Sequence, residues 1–125
     1  DFIATDVYSF HVDRSPIPTH TYLCTYFGAA SDIIPNADVR QKIENTVIEK
    51  KLRALHEPNE GTFEAFLEQY FFDLHYEVLN DTRITNLGIG NLWKLAVDHP
   101  QQNVQPCVHR APVENKDELR LLLIC

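Results

Sequence analysis

A histidine and an aspartate lie two residues apart in the segment His11-Val12-Asp13, and this spacing could support chemistry. Side chains alternate along a β-strand, so on a strand both residues would point to one face and could share a metal ion. The pattern is common, because about one His-x-acid triplet is expected by chance from six histidines and 18 acidic residues in 125. A second triplet, His75-Tyr76-Glu77, therefore provides a rival pair of ligands.

His109 is the next candidate, in the segment Pro106-Cys107-Val108-His109-Arg110-Ala111-Pro112, between a polar loop and a proline. A histidine placed in this way could project into the mouth of a β-barrel. A surface histidine would show the same pattern, so the segment alone leaves both interpretations open.

Arg120 follows His109 by eleven positions and opens the apolar run Leu121-Leu122-Leu123-Ile124. A guanidinium does not lose its charge on burial. At the head of such an apolar strand it either extends to solvent or pairs with an anion, for which a bidentate carboxylate contact is the specific form.

Two zones of the sequence are rich in β-branched and aromatic residues, one before residue 28 and one after residue 83, and the candidate residues lie in or beside them. Proline and glycine interrupt both zones, which therefore predict short strands joined by turns. The predicted strands are residues 2–8, 21–27, 91–97 and 119–125.

The middle zone has a helical period instead. Six apolar residues recur at helical spacing, and a second apolar face follows after Thr62, its predicted N-cap. The two apolar sets are Val39, Ile43, Val47, Ile48, Leu52 and Leu55, then Phe63, Phe66, Leu67, Tyr70 and Phe71. We expect a two-helix insertion at about 38–75, and we interpret its aromatic residues as core.

Strands on either side of a short helical insertion favour a mainly antiparallel α+β fold, such as a jelly-roll sandwich, over a doubly wound sheet. At 125 residues the chain fits a single domain, residues 1–125. It contains no methionine and begins inside a predicted strand, so we expect a fragment or processed product that lacks N-terminal elements.

Composition excludes several classes of function. The net charge of −7, with eleven scattered basic residues, disfavours a nucleic-acid partner. No apolar run is long enough to span a bilayer and no signal-peptide pattern opens the sequence, so we expect a cytoplasmic protein without a membrane partner. The cysteines Cys24, Cys107 and Cys125 lie far apart and predict reduced thiols rather than a disulfide set or a zinc knuckle.

The joint order of an early H-x-D, a late histidine and an arginine eleven residues beyond it resembles that of iron- and 2-oxoglutarate-dependent oxygenases. Residues 21–27 and 86–95 also resemble strands of that superfamily. More narrowly, three segments are similar to an uncharacterised bacterial and fungal family with oxygenase-like motifs. They are Phe10-His11-Val12-Asp13, Leu23-Cys24-Thr25-Tyr26 and Val108-His109-Arg110-Ala111-Pro112.

This resemblance implies a double-stranded β-helix, which is a cupin-like jelly roll, with Fe(II) held by His11, Asp13 and His109. Three open metal positions would remain for 2-oxoglutarate and oxygen. The resemblance further implies that Arg120 binds the distal carboxylate of 2-oxoglutarate and that the chain hydroxylates a small molecule or a protein side chain. Tyr22 or Tyr26 could donate a hydroxyl to the same co-substrate.

The chain departs from the superfamily in three respects. Leu122 replaces the serine common two residues after the arginine, and Arg110 competes with Arg120 for the anion. The chain also starts close to H-x-D, so the barrel would be incomplete or completed by a partner chain. Two other interpretations stay open, a metal-free interaction domain and a zinc hydrolase that uses the same ligands or the pair His75 and Glu77.

Overall fold

A computed structural model describes residues 3–125 as an α+β chain made mainly of short antiparallel strands. The strands are β1 His20–Phe27, β2 Asp32–Ile34, β3 Val39–Gln41, β4 Tyr76–Val78, β5 Thr85–Asn86, β6 Trp93–Ala96, β7 Val108–Arg110 and β8 Leu121–Ile124. The helices are α1 Thr46–Leu55 and α2 Phe63–Gln69. No helix within residues 3–125 is long and apolar enough to cross a membrane.

Two sheets carry most of the fold. The first has the order β6-β1-β8 and the second the order β5-β2-β7, with every neighbouring pair antiparallel. His11 extends the second sheet, because it bridges to His109 of β7 on one side and to His75 on the other. A separate two-stranded ladder joins β3 to β4.

Apolar side chains of both sheets pack against each other, so the sheets enclose a common interior. Leu23, Leu87 and Leu95 are its buried centre. Around them pack Ile33, Trp93 and Leu122, from β2, β6 and β8, and Cys107, which directly precedes β7. Since alternate residues share a face, this contact set also identifies which side chains of each strand point inward.

The opposite face of the second sheet has its own core. Phe10 and Val12 pack there with Ile34, Leu74 and the fully buried Val108. These residues alternate in sequence with His11, Asp13 and His109. Burial of one set therefore forces the other set to the enclosed side.

The helices lie in the connection from β2 to β5, as the sequence predicts. The side chains of Asn45 and Thr62 cap α1 and α2 by accepting from the backbone N–H groups of Val47 and Ala65. The helices pack through Ile48, Leu52, Phe63, Phe66 and Leu67. This confirms Phe63, Phe66 and Leu67 as core, but the prediction is wrong for Tyr70 and Phe71, which follow the end of α2 and are 42% and 57% exposed.

Two predicted element boundaries are wrong. The helical period begins at Val39, but Val39 lies in β3, where its strand pairs with β4, and α1 starts only at Thr46. The predicted strand at residues 2–8 is also incorrect over its described part, where residues 3–8 contain turns, a bend and irregular backbone but no strand, while Phe2 lies outside the described residues. In both places tertiary pairing, or its absence, overrides local propensity.

Candidate metal centre

Backbone pairing places two of the predicted ligands side by side. His11 and His109 exchange both hydrogen bonds, N–H to O at 2.9 Å and 3.0 Å, so they are directly opposite residues of an antiparallel pair. Opposite residues share a face. Their ring centroids are 4.6 Å apart, and the side chains reach the same volume although 98 positions separate them.

Asp13 completes the cluster. Its Oδ1 lies 4.0 Å from His11 Nε2 and 3.6 Å from His109 Nε2. One ligand atom from each of the three residues falls within 4.8 Å of the others, and within residues 3–125 this is the one such group of three metal-binding side chains. The structure therefore brings together the three predicted ligands, at separations that a shared metal ion would bridge.

Backbone carbonyls orient both imidazoles. His11 Nδ1 lies 2.7 Å from the carbonyl oxygen of Ser9, and His109 Nδ1 lies 3.0 Å from that of Cys107. A carbonyl only accepts, so each Nδ1 carries the ring proton and each Nε2 presents its lone pair toward Asp13. Metal-binding histidines use this arrangement, in which the second nitrogen is fixed by an outer hydrogen bond.

Thr21 orients the carboxylate. Its hydroxyl donates to Asp13 Oδ2 at 2.6 Å, which leaves Oδ1 facing the two imidazoles. Thr21 stands at the start of β1, on the inward side with Leu23. The sequence gives no signal for this contact, because Thr21 follows Asp13 by eight residues across a turn.

Burial favours the neutral form of His109. Desolvation lowers the pKa of this imidazole, while its hydrogen bond to Cys107 and the nearby Asp13 carboxylate act in the opposite direction. Burial likewise raises the pKa of the Cys107 thiol to about 11, with a further contribution from Asp13. At neutral pH the centre accordingly offers a neutral His109 imidazole beside an uncharged thiol.

The rival pair does not form an equivalent site. His75 lies beside His11, with ring centroids 5.4 Å apart, but Glu77 is held by Arg40 and accepts from the Asn45 side chain. Burial lowers the pKa of His75 to about 4, with further contributions from His11 and Lys42. His75 is thus a neutral neighbour of the cluster, outside its ligand set.

The two candidate arginines lie in different surroundings. Arg110 points to the outer core, over the Phe10 ring, and its Nε donates to Asp32 at 3.2 Å. Arg120 lies two positions before the inward-facing Leu122, and its guanidinium donates to the Ala29 carbonyl and the Ser31 hydroxyl. Arg110 therefore lies on the face opposite His109 and is paired with Asp32, so it is not placed to bind an anion at the cluster.

The structure does not bring Tyr22 or Tyr26 to the cluster. On β1 they alternate with Thr21 and Leu23, whose side chains point inward, so their own side chains lie on the outer face. Their exposed fractions are 39% and 55%. Strand parity, which the sequence alone did not fix, is the reason that Tyr22 and Tyr26 face away from the cluster.

Comparison with protein-family models, with curated proteins and with solved structures finds no match to this chain.

Proposed function

We propose that this chain is a mononuclear non-haem iron(II) oxygenase of the 2-oxoglutarate-dependent class. The observation that carries the proposal is the convergence of His11, Asp13 and His109, with both Nε2 atoms facing one carboxylate oxygen. Two imidazoles and one carboxylate are the ligand set of such centres, and they leave metal positions open for other ligands.

The residues present suit iron(II) chemically. The fixed Nδ1 protons make both Nε2 atoms available as neutral ligands, and one carboxylate leaves the centre with a net positive charge that favours an anionic co-substrate. Bound iron would supply the activation of oxygen. The chain would hold the metal, orient its ligands and exclude water through the apolar interior that lies beside them.

The strand order supports a jelly roll as the finer description of the fold. Apart from the separate β3-β4 ladder, the strands pass between the two sheets: β1 joins the first, β2 and β5 the second, β6 the first, β7 the second and β8 the first. A jelly roll needs strands that cross between two antiparallel sheets in this way. The proposed ligands lie on the second sheet and face the interior between the two sheets.

Arg120 is the proposed anchor for the distal carboxylate of 2-oxoglutarate. Its guanidinium contacts neutral oxygens of Ala29 and Ser31, so among the contacts within residues 3–125 no carboxylate neutralises it. Ser31 precedes Ile33 by two residues, roughly 7 Å along the strand, and Ile33 is the partner of His109. The reaction would convert 2-oxoglutarate, oxygen and a C–H bond into succinate, carbon dioxide and a C–OH group.

Metal analysis after anaerobic reconstitution with Fe(II) tests the centre. We expect one equivalent of iron in the wild-type chain and a loss of at least tenfold in affinity for His109→Ala, since one of three ligands is removed. His20→Ala is the matched control, because His20 is exposed at the first position of β1. Unchanged iron affinity in His109→Ala would contradict the proposal.

Release of succinate from labelled 2-oxoglutarate, after admission of oxygen, tests the reaction. Succinate should form with the wild-type chain and His20→Ala, and not with Asp13→Ala. A zinc-dependent hydrolase with the same ligands is the second candidate. The hydrogen bonds of Arg120 to Ala29 and Ser31 favour it, because they occupy donors that would otherwise bind the carboxylate of 2-oxoglutarate. Stoichiometric zinc without succinate release would support that alternative.

A further inference from the structure

The two imidazoles of the cluster are oriented in the same way but supported differently. Each Nδ1 faces the carbonyl two residues earlier in the chain, that of Ser9 for His11 and that of Cys107 for His109. The N–H group of Cys107 donates to the carbonyl of Ala96 in β6 at 3.0 Å. Ser9 instead lies at a bend outside the strands, and its N–H group donates to a side chain. The carbonyl that orients His11 is therefore held by other means than sheet pairing.

Asp6 holds Ser9 from within the same loop. Its Oδ1 accepts from the backbone N–H groups of Tyr8 at 2.9 Å and of Ser9 at 3.1 Å. No other acceptor for these two groups is found among residues 3–125. A side-chain oxygen that closes a turn in this way replaces the backbone partner that a strand would provide. Asp6 thus fixes the course of the chain directly before the Ser9 carbonyl.

Lys42 holds Ser9 from another part of the chain. Its Nζ donates to Ser9 Oγ at 3.1 Å and to the Ala4 carbonyl at 3.3 Å. Lys42 lies between β3 and α1, so these contacts connect the loop to the helical insertion. Ser9 is thereby held twice, through its N–H group by Asp6 and through its hydroxyl by Lys42.

We propose that Asp6 and Lys42 are positioning residues for the ligand His11, because together they hold the Ser9 carbonyl at His11 Nδ1. Their role in metal binding rests on the proposed function, whereas the tautomer of His11 is set in the metal-free chain as well. With its proton held on Nδ1, His11 keeps the lone pair of Nε2 free for the metal. Without that restraint the proton is shared between the two nitrogens, and metal binding must displace it from Nε2 in part of the population.

The tautomer of His11 tests the restraint in the metal-free chain. Long-range ¹H–¹⁵N correlation at about pH 8, where imidazoles are neutral, should place the proton of both His11 and His109 on Nδ1 in the wild type. In Asp6→Ala the Ser9 N–H group loses its acceptor, so we expect a mixture of both tautomers at His11 and no change at His109. Asp6→Asn should restore the wild-type result, because the amide oxygen accepts the same hydrogen bonds. A general loss of structure would affect both histidines, so His109 serves as an internal control.

Ni(II) affinity, measured by isothermal titration calorimetry, tests the consequence for the metal. Asp6→Ala and Lys42→Met should each raise Kd about tenfold, as is typical for the loss of a residue that orients a metal ligand. Asp6→Asn should stay within about threefold of the wild-type chain. Lys50→Met is the matched control for Lys42→Met, because Lys50 is exposed on α1, and it should leave Kd unchanged.

Each other outcome contradicts the inference in a different way. A His11 proton that stays on Nδ1 in Asp6→Ala, with Kd unchanged, would show that Asp6 does not position this ligand. Tautomer changes at both histidines would indicate a general structural role instead. Equal Kd values for Lys42→Met and Lys50→Met would exclude Lys42. Failure of the wild-type chain to bind Ni(II) would overturn the proposed function and the role in metal binding. The tautomer measurement needs no metal, so it separates that failure from a failure of the restraint.

Discussion

At the scale of single residues, the two oxygens of the Asp13 carboxylate have different roles. Oδ2 accepts from the Thr21 hydroxyl at 2.6 Å, and Oδ1 faces His11 and His109. A carboxylate held in this way is restricted to one rotamer before a metal arrives. Pre-orientation of a ligand by an outer hydrogen bond lowers the entropic cost of binding.

Thr21→Val should therefore weaken metal binding while the fold persists, because valine keeps the shape of threonine and removes the donor. We expect Kd for Ni(II), measured by isothermal titration calorimetry, to rise by about tenfold. Thr21→Ser keeps the hydroxyl and should bind Ni(II) within about threefold of the wild-type chain. Equal Kd values for the valine and serine variants would show that Thr21 does not position Asp13.

The grouping of the proposed ligands is easier to predict from sequence than the residues that orient them, for a physical reason. His11 and Asp13 share a face through the local alternation of a strand, which two positions are enough to specify. The partners Thr21 and Ser9 depend on how a turn returns the chain and on contacts across strands. Tyr22 shows the same limit, because a shift of one position along β1 exchanges the inner face for the outer one.

At the scale of elements, an ion pair ties the two ends of the helical insertion together. Both Asp38 oxygens accept from Arg83 at 2.8 Å, and the Asp38 carbonyl accepts from the backbone of Leu79 and Asn80. Arg83 lowers the pKa of the Asp38 carboxyl below its ordinary 3.8 through the hydrogen bonds and the opposite charge. The insertion thus leaves and re-enters the β framework at one point.

This pair should make stability depend on pH in the acid range. The folded chain holds the Asp38 proton only at lower pH than the unfolded chain does, so the stabilisation is present above about pH 4 and is lost as pH falls through the lowered pKa. Urea unfolding should show Arg83→Gln less stable than wild type at neutral pH, with the difference shrinking as the pH falls below 3.8 and through the lowered pKa of Asp38.

Arg53→Gln is the control for that comparison, because Arg53 pairs with Glu49 on an exposed helix face and should change stability little at either pH. A difference between Arg83→Gln and wild type that stays constant from neutral to acid pH would contradict the assignment to the Asp38 charge.

The helix pair offers a matched test of core against surface on one helix. Leu52 is 1% exposed among the aromatic residues of α2, whereas Leu55, one turn later, is 55% exposed. Leu52→Ala should cost about 2–5 kcal/mol in the free energy of unfolding, because it removes buried atoms and leaves a cavity. Leu55→Ala should stay within about 0.5 kcal/mol. Chemical denaturation measures both, and similar losses would contradict the packing described for α1.

Element types were more predictable than element starts. Thr62 is the N-cap of α2, as predicted, because a cap is a local hydrogen bond that nearby residues specify. Val39 keeps the helical spacing of the residues after it, yet it pairs with Val78 on β4, a partner 39 positions away. The periodicity of a short segment cannot reveal such a partner, so the first helix was predicted several residues too early.

At the scale of the whole molecule, the proposed ligands come from the two ends of the described chain. His11 and Asp13 lie near its start and His109 near its end, with the helical insertion between them. A metal held by all three would bind the folded chain and not the unfolded one, where the ligands are far apart. Binding energy at the centre then becomes folding energy for the whole domain.

Addition of Ni(II) should therefore raise the thermal midpoint of unfolding. At a free Ni(II) concentration of about 100 times Kd, linkage adds about 2.7 kcal/mol. For a chain of this size that corresponds to a rise in Tm of roughly 10 °C, reversed by EDTA. Differential scanning fluorimetry should show the rise for wild type and His20→Ala and lose it in His109→Ala. An equal rise in all three would place the metal elsewhere on the chain, because only the variant at position 109 removes a ligand from the centre.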